Sequence, residues 1–509
     1  MLRSARNLLS ATLLLSLALM AGRLAGLGRE LLLAKSFGLS AQADMAVVLL
    51  SLPDLLVNLL LSGGIGVALV PLLRGASDGE AALLLRQASL VVGGLFAVLG
   101  LLFVLTPALW LRLLAPGIDS AAQPLSGWLL GALAAAIILT ALSGVTAAAL
   151  NARDRFFVAG CGTLIFNLAI IAALILILWQ QSTELNTLVA GIAIGAGLRW
   201  GTQWQALRSL RKSHHGASGW RIGRALLRGF AAGLTAASLL ALVPVLLRAA
   251  ASMLGEGELA AFNYANKLVE LPLGVLITTI ATVAFPRLSG AFHEKNAHAF
   301  DALLTAAIAR SLLMSFAVVL CGWPIMDDVV VLLFGYGKPS ATELAHIADL
   351  ARIALLSVPW VGLAGLAAAA LNAQRRPQQV LRRTLLALLA LPLLCLPGLI
   401  YGQAEWLMWA LPAFYLLCSA SLLSGSRCFM QKGHRLLGRP LVQLSLWLGL
   451  LALLLYALNS WLLAEYLNPS NLLHRLARIA LAGLCFFILL MATIPILRIL
   501  RKQGIEPTD

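Results

Sequence analysis

The 509-residue chain reads as an all-α polytopic membrane protein with fourteen transmembrane helices. Apolar residues make up 61% of it and charged residues 11%, against roughly 45–50% and 25% in soluble domains. Long apolar segments follow one another almost from end to end, each near the ~20 residues needed to cross a bilayer core. The basic residues behind the net charge of +16 gather in every second connection, the pattern left when positive charge is retained on the cytoplasmic side. The basic excess is therefore a topology signal, and no nucleic-acid partner is expected.

The predicted spans are 7–36, 43–73, 81–114, 124–151, 156–180, 186–208, 224–253, 257–288, 300–335, 342–372, 378–402, 405–426, 438–465 and 474–500. The first follows Arg3 and Arg6 but runs too long for a signal peptide, so it stays as a helix. The second contains Pro53 and Gly63-Gly64, the eighth Pro272, Gly274 and Pro286, and the ninth Pro324. They remain helices because neighbouring helices can satisfy the freed backbone groups. Arg153 and Arg155 follow the fourth span, Arg208, Arg211 and Lys212 the sixth, Arg375 and Arg376 the tenth, and Arg427 and Lys432 the twelfth. The alternate connections Gly117–Pro124, Gln181–Glu184, Gly255–Glu258 and Tyr401–Glu405 hold no Lys or Arg. Both termini are thus expected in the cytoplasm.

An internal repeat organises the spans. Ala147-Ala148-Ala149-Leu150-Asn151-Ala152 returns 221 residues later as Ala368-Ala369-Ala370-Leu371-Asn372-Ala373, each copy ending a span at a basic turn. Val67-Ala68-Leu69-Val70-Pro71 is echoed by Thr282-Val283-Ala284-Phe285-Pro286. Six spans separate the copies, so the halves share one orientation, a parallel repeat about an axis along the membrane normal. The expected organisation is a six-helix lobe over 1–213, a second over 220–430, a central cavity, and an extra helix pair over 431–509.

Charge at membrane depth locates the candidate site, because such residues are costly and mark transport paths. The first span holds Arg23, Arg29 and Glu30, and the second Asp44 and Asp54. Arg23 and Glu30, seven apart, share nearly one helix face, and Gly22 and Gly26 thin the helix beside Arg23. Ser51, Asp54, Asn58 and Ser62 form a polar stripe along the second span. Asn263, Lys267, Glu270, Gly274 and Thr278 form another along the eighth. Arg23, Arg29 and Lys267 would make a cationic pole suited to a phosphate or pyrophosphate; the plainer reading makes Arg23–Glu30 and Lys267–Glu270 packing ion pairs. The six cysteines and seven histidines show no metal spacing, no phosphate loop or nucleophile elbow occurs, and Asp327-Asp328 reads as a solvated helix end. A transporter is expected, with no catalytic residues, no metal and no cofactor.

Arg23-Leu24-Ala25-Gly26-Leu27-Gly28-Arg29-Glu30, Phe37-Gly38, Ala43-Asp44, Leu52-Pro53-Asp54-Leu55-Leu56 and Val70-Pro71 together resemble the start of the MurJ/MviN lipid II flippases. Tyr264-Ala265-Asn266-Lys267-Leu268-Val269-Glu270-Leu271-Pro272 resembles that family's eighth helix, and Phe334-Gly335-Tyr336-Gly337-Lys338 is a weaker match. The resemblance implies the multidrug/oligosaccharidyl-lipid/polysaccharide exporter fold, with helices 13 and 14 forming a groove for the lipid tail. It places Arg23, Arg29 and Asp44 on positions the family needs. Lys267 stands where the family usually has Arg. Val57, Asn58 and Ser62-Gly63 follow Leu56 where the family has two arginines and then Glu-Gly.

The expectation is a flippase moving undecaprenyl-pyrophosphate-linked sugar, lipid II for peptidoglycan, from the inner to the outer leaflet of the bacterial cytoplasmic membrane. The substrate contacts would be Arg23, Arg29, Asp44, Asp54, Asn58, Lys267 and Glu270. One alternative is a flippase for another lipid-linked oligosaccharide, such as an exopolysaccharide repeat unit. The others are a membrane glycosyltransferase or polymerase, disfavoured by the short outer connections, and an ion-coupled drug antiporter, disfavoured by the cationic pole. The partners are the lipid-linked substrate and membrane lipids, the protein is expected to be a monomer, and a coupling cation and the membrane potential are the candidate drives.

Overall fold

Backbone groups in a bilayer have no water to pair with and must bond within their own segment, and the apolar runs accordingly fold as helices. A computed structural model describes residues 2–59, 65–119, 126–212, 219, 239–240, 242–274, 278–425 and 472–502, with no strand among them. Seven stretches of these residues are long and apolar enough to cross a membrane: Asp78–Leu105, Gly127–Ala152, Phe156–Gln180, Ala297–Gly322, Ala341–Ala373, Pro377–Tyr401 and Ala404–Gly425. They are the predicted third, fourth, fifth and ninth to twelfth spans. The thirteenth span and most of the seventh lie outside the described residues.

The chain divides into two compact units, Met1–Ala260 and Ala261–Asp509. In the first, α1 is Leu2–Phe37, α2 Ala41–Leu59, α3 Ile65–Gly75, α4 Asp78–Leu105 and α5 Pro107–Leu114. They are followed by α6 Gly127–Ala152, α7 Phe156–Gln180, α8 Leu185–Ala206 and α9 Arg208–Lys212, and by the short apolar α10, Leu242–Ala251. Helix α1 packs along α7, α7 along α8, and α6 against both α4 and α8. Small residues allow this. A Cβ on Gly22 would lie 3.5 Å from the α7 backbone at Leu164, and one on Gly191 in α8 would lie 2.4 Å from Ala173 Cβ. Lipid tails are as apolar as the helices, so close van der Waals packing at small residues is what holds such a bundle together. Glycines 22 and 26 of the first span therefore face α7, the second across from Asn167.

Helix α11, Glu258–Pro272, leads into the second unit. There follow α12 Thr278–His293, α13 Ala297–Gly322, α14 Met326–Phe334, α15 Ala341–Leu355 and α16 Val358–Ala373. The last are α17 Pro377–Leu389, α18 Leu391–Tyr401, α19 Ala404–Met408, α20 Ala410–Gly425 and α21 Leu472–Lys502. Its core gathers Leu288, Phe300, Leu304, Ile308, Leu363, Leu366 and Ala370 from α12, α13 and α16. The tenth and eleventh predicted spans are each two helices, because Pro359 and Pro392 enter just after the breaks. Asp327-Asp328 corrects its reading as a solvated helix end: Asp328 is 1% exposed and lies 2.8 Å from Arg478 Nε on α21, while Asp327 pairs with Arg352. A carboxylate buried on α14 needs a cation, and the last described helix brings one.

The two copies of the repeated motif end their helices in the same way. Arg155 N–H donates to Leu150 O and Arg376 N–H to Leu371 O, both at 2.9 Å, and the intervening Asp154 and Arg375 both have φ 57°. This is the left-handed Schellman closure of a helix C-terminus, made twice without the glycine that usually supplies it.

Candidate functional site

Helix α1 turns Arg29 into the bundle, where it is 3% exposed. Its Nη2 donates to Glu30 Oε1 at 2.7 Å and to Asp54 Oδ2 at 2.8 Å. Its Nη1 reaches Asp54 Oδ1 at 3.3 Å and Asn167 Oδ1 at 3.2 Å. Asn167 Nδ2 in turn donates to Gly22 O at 3.1 Å, fixing the amide across the α1–α7 contact. The guanidinium fork thus holds two carboxylates and an amide from three helices, a geometry that lysine could not reproduce. Asp54 is the half-buried member, its side chain 31% exposed.

Arg23 differs: it is exposed and makes no ion pair among the described residues. The Arg23–Glu30 pair of the plainer reading is not formed: Glu30 is buried and is paired with the adjacent Arg29. A shared helical face is therefore not a shared environment here. The side of α1 that carries Glu30 meets neighbouring helices at one level and is open a turn or two below.

Asp44 is 3% exposed. Its carboxylate accepts from Gly257 N–H at 2.7 Å and Ala260 N–H at 2.8 Å, closing two of the orphan donors at the start of α11. Asn58 lies on α2 next to Val57, and its side chain, like Ser62, lies outside the described residues. The α2 stripe is engaged at Ser51 as well, whose hydroxyl accepts from Arg248 Nη1 at 2.7 Å.

In the second unit Lys267 Nζ donates to Glu270 Oε2 at 2.7 Å, and Asn266 Nδ2 holds Oε1 of the same carboxylate at 3.0 Å. Asn263, one turn earlier, is 2% exposed. The Lys267–Glu270 pair of the plainer reading is made. The structure thus joins Arg29 with Asp54 and Lys267 with Glu270.

Sequence reasoning missed Asn167, Arg199, Gln203 and Arg248. Arg199 was open to the criterion that found Arg29, a charge within an apolar span, and it is 1% exposed. Asn167 carries no charge, and only the fold shows that it meets Arg29.

The helical bundle shares its fold with a class of multi-spanning transporters. An inward-facing multidrug resistance MATE family transporter of the MOP superfamily matches it with a TM-score of 0.64 at 15% identity, over 84% of this chain and 99% of that one. Within that class the chain belongs to the lipid II flippase MurJ family, whose model matches residues 33–481. The lipid II flippase MurJ of Burkholderia cenocepacia is 26% identical over 377 residues, 71% of each chain. A probable lipid II flippase MurJ of Thermotoga maritima is 25% identical over 382 residues, 74% of this chain and 76% of that one. The solved structure of a lipid II flippase MurJ in an inward closed conformation matches with a TM-score of 0.78 at 19% identity, over 95% of this chain and 98% of that one.

Proposed function

We propose that the protein is a transporter that flips lipid II from the inner to the outer leaflet of the bacterial cytoplasmic membrane, without altering it covalently. Family membership over residues 33–481 carries the reading. The chemistry of α1 supports it: an exposed guanidinium at Arg23 stands six residues from a buried one at Arg29. A pyrophosphate offers several oxygens to such planar forks.

In this reading Arg23 meets the headgroup first, as an exposed cation with no ion pair among the described residues. Arg29 follows, exchanging carboxylate oxygens for phosphate oxygens. Lys267 offers a further ammonium, held ready by Glu270. Asp44 supports the start of α11 through its backbone bonds, and Asp54 and Glu270 are the carboxylates available to a coupling cation. Fourteen spans, two parallel six-helix lobes, cytoplasmic termini and a monomeric state belong to the same proposal. The matching turns after α6 and α16 support the repeat.

Binding to the purified full-length protein tests the cargo. Lipid II should bind tighter than an undecaprenyl-pyrophosphate-linked exopolysaccharide repeat unit. Preference for the repeat unit would overturn lipid II as the cargo and give Val57 and Asn58, which replace the family's arginine pair, a role in that change.

A further inference from the structure

Arg199 on α8 is a fully buried cation with no hydrogen-bonded acceptor among the described residues. It is 1% exposed, and its Nε and Nη1 find no partner among the described residues. Its neighbour one turn on, Gln203, is equally buried. Gln203 Oε1 is taken by the Thr146 hydroxyl at 2.6 Å, while its Nε2 also lacks a partner. Both side chains press on α7 where Gly162 leaves room: a Cβ there would lie 2.7 Å from Gln203 Nε2 and 3.1 Å from Arg199 Nε. In this orientation the amide turns its donor, rather than its oxygen, toward Gly162 and the guanidinium side of the contact. An arginine buried in this way is costly unless a carboxylate or other acceptor comes to it.

Among the described residues, Asp54 is a carboxylate placed to act on Arg199, since it lies on α2, which packs against α8. Asp54 is at present on the other arginine, with both its oxygens on Arg29. Arg29 reaches α7 at Asn167, five residues from Gly162 and so about 7–8 Å along the helix axis. Among the described residues, Arg29 and Arg199 with Glu30 and Asp54 make a cluster of two cations and two carboxylates. Its distribution is lopsided: both carboxylates sit on Arg29.

We propose that Arg199 is a second seat for the Asp54 carboxylate, taken when the anionic headgroup reaches Arg29. The inference rests on the reading above that Arg29 meets the cargo. It answers a difficulty in that reading, because an arginine already holding two carboxylates can accept a pyrophosphate only if one of them has somewhere to go. Asp54, being half-buried and on a different helix, is the one able to leave; Glu30 is bound to the next residue of the same backbone. Arg199 is a positioning residue in this scheme and does not touch the cargo. In the exchange Asp54 leaves Arg29 as the phosphate oxygens arrive, and no proton moves.

The test is equilibrium binding of undecaprenyl pyrophosphate to the purified full-length protein, with undecaprenol as the neutral control. Arg199→Gln should weaken binding about tenfold, since displaced Asp54 would be left as an uncompensated charge. Asp54→Asn added to Arg199→Gln should restore binding to within about threefold of wild type, because no carboxylate then needs a seat. A purely structural Arg199 would not be rescued by a change on α2. If Arg199→Gln fails to fold, Arg199→Lys takes its place, with a weakening of about threefold that Asp54→Asn again reverses. Wild-type affinity in the Arg199 variant, or equal weakness with and without Asp54→Asn, would overturn the second seat alone. A wild-type protein that binds undecaprenyl pyrophosphate no better than undecaprenol would overturn the headgroup reading and the second seat with it.

Discussion

Arg23 and Arg29 sit six residues apart on one helix, one exposed and without an ion pair among the described residues, the other buried among two carboxylates and an amide. Their substitutions should therefore part company. Arg23→Ala is expected to lose transport while its thermal stability in detergent stays within a degree or two of wild type. Arg29→Ala strands Glu30 and Asp54 and should cost about 3–5 kcal/mol of stability as well as activity. Equal stability losses for the two would show that Arg23 is also a packing residue. On α11, Lys267→Arg keeps the charge beside Glu270 and should transport normally, whereas Lys267→Glu sets like charges one turn apart and should be inactive in a flipping assay. The sequence makes these residues legible because charge is conspicuous in an apolar span. It does not reveal their partners: that Arg29 meets Asn167, or that Glu30 turns from Arg23 to its neighbour, depends on which helices touch, and no spacing within one helix encodes that.

Helices in this protein are held by small residues and closed by local hydrogen bonds, and both make testable elements. Gly191→Ala would drive a methyl to within 2.4 Å of Ala173 Cβ, so α7 and α8 must part; overpacking of this kind costs about 1–3 kcal/mol and should lower the unfolding temperature. Arg375 occupies a left-handed position that disfavours any side chain, and it is exposed. Arg375→Gly is expected to raise stability by about 1 kcal/mol, a gain read by thermal unfolding; no change would mean that the turn is held by contacts of the arginine itself. Asp44→Asn replaces one acceptor oxygen by a donor facing Gly257 or Ala260 and should cost about 1–3 kcal/mol. The Ala-Leu-Asn motif recurs in the sequence, and the turns that follow its two copies share their geometry. The division of the tenth and eleventh spans into helix pairs was readable only in part, since proline permits a break without fixing one.

Across the whole molecule, hydropathy carries most of the helices in the sequence, because the bilayer leaves helices as the natural solution for apolar spans. Tertiary pairing is the part that composition cannot supply, and the buried Asp328–Arg478 pair, which joins two helices far apart in sequence, shows why. On this account the protein carries an anionic lipid headgroup outward. A pyrophosphate diester bears about two negative charges, so its passage from the negative to the positive side gains on the order of 4–5 kcal/mol per 100 mV. Arginines and Lys267 return with every cycle, so only cargo and coupled ions count. The most direct measurement is the rate at which labelled lipid II crosses the bilayer of proteoliposomes holding the purified protein, with and without an imposed inside-negative potential. The predicted result is outward movement of chemically unchanged lipid, accelerated by the potential and returned to its basal rate when valinomycin and balanced potassium abolish it. Movement no faster than in protein-free vesicles, or a rate indifferent to potential, would contradict the uncompensated transfer of an anionic cargo.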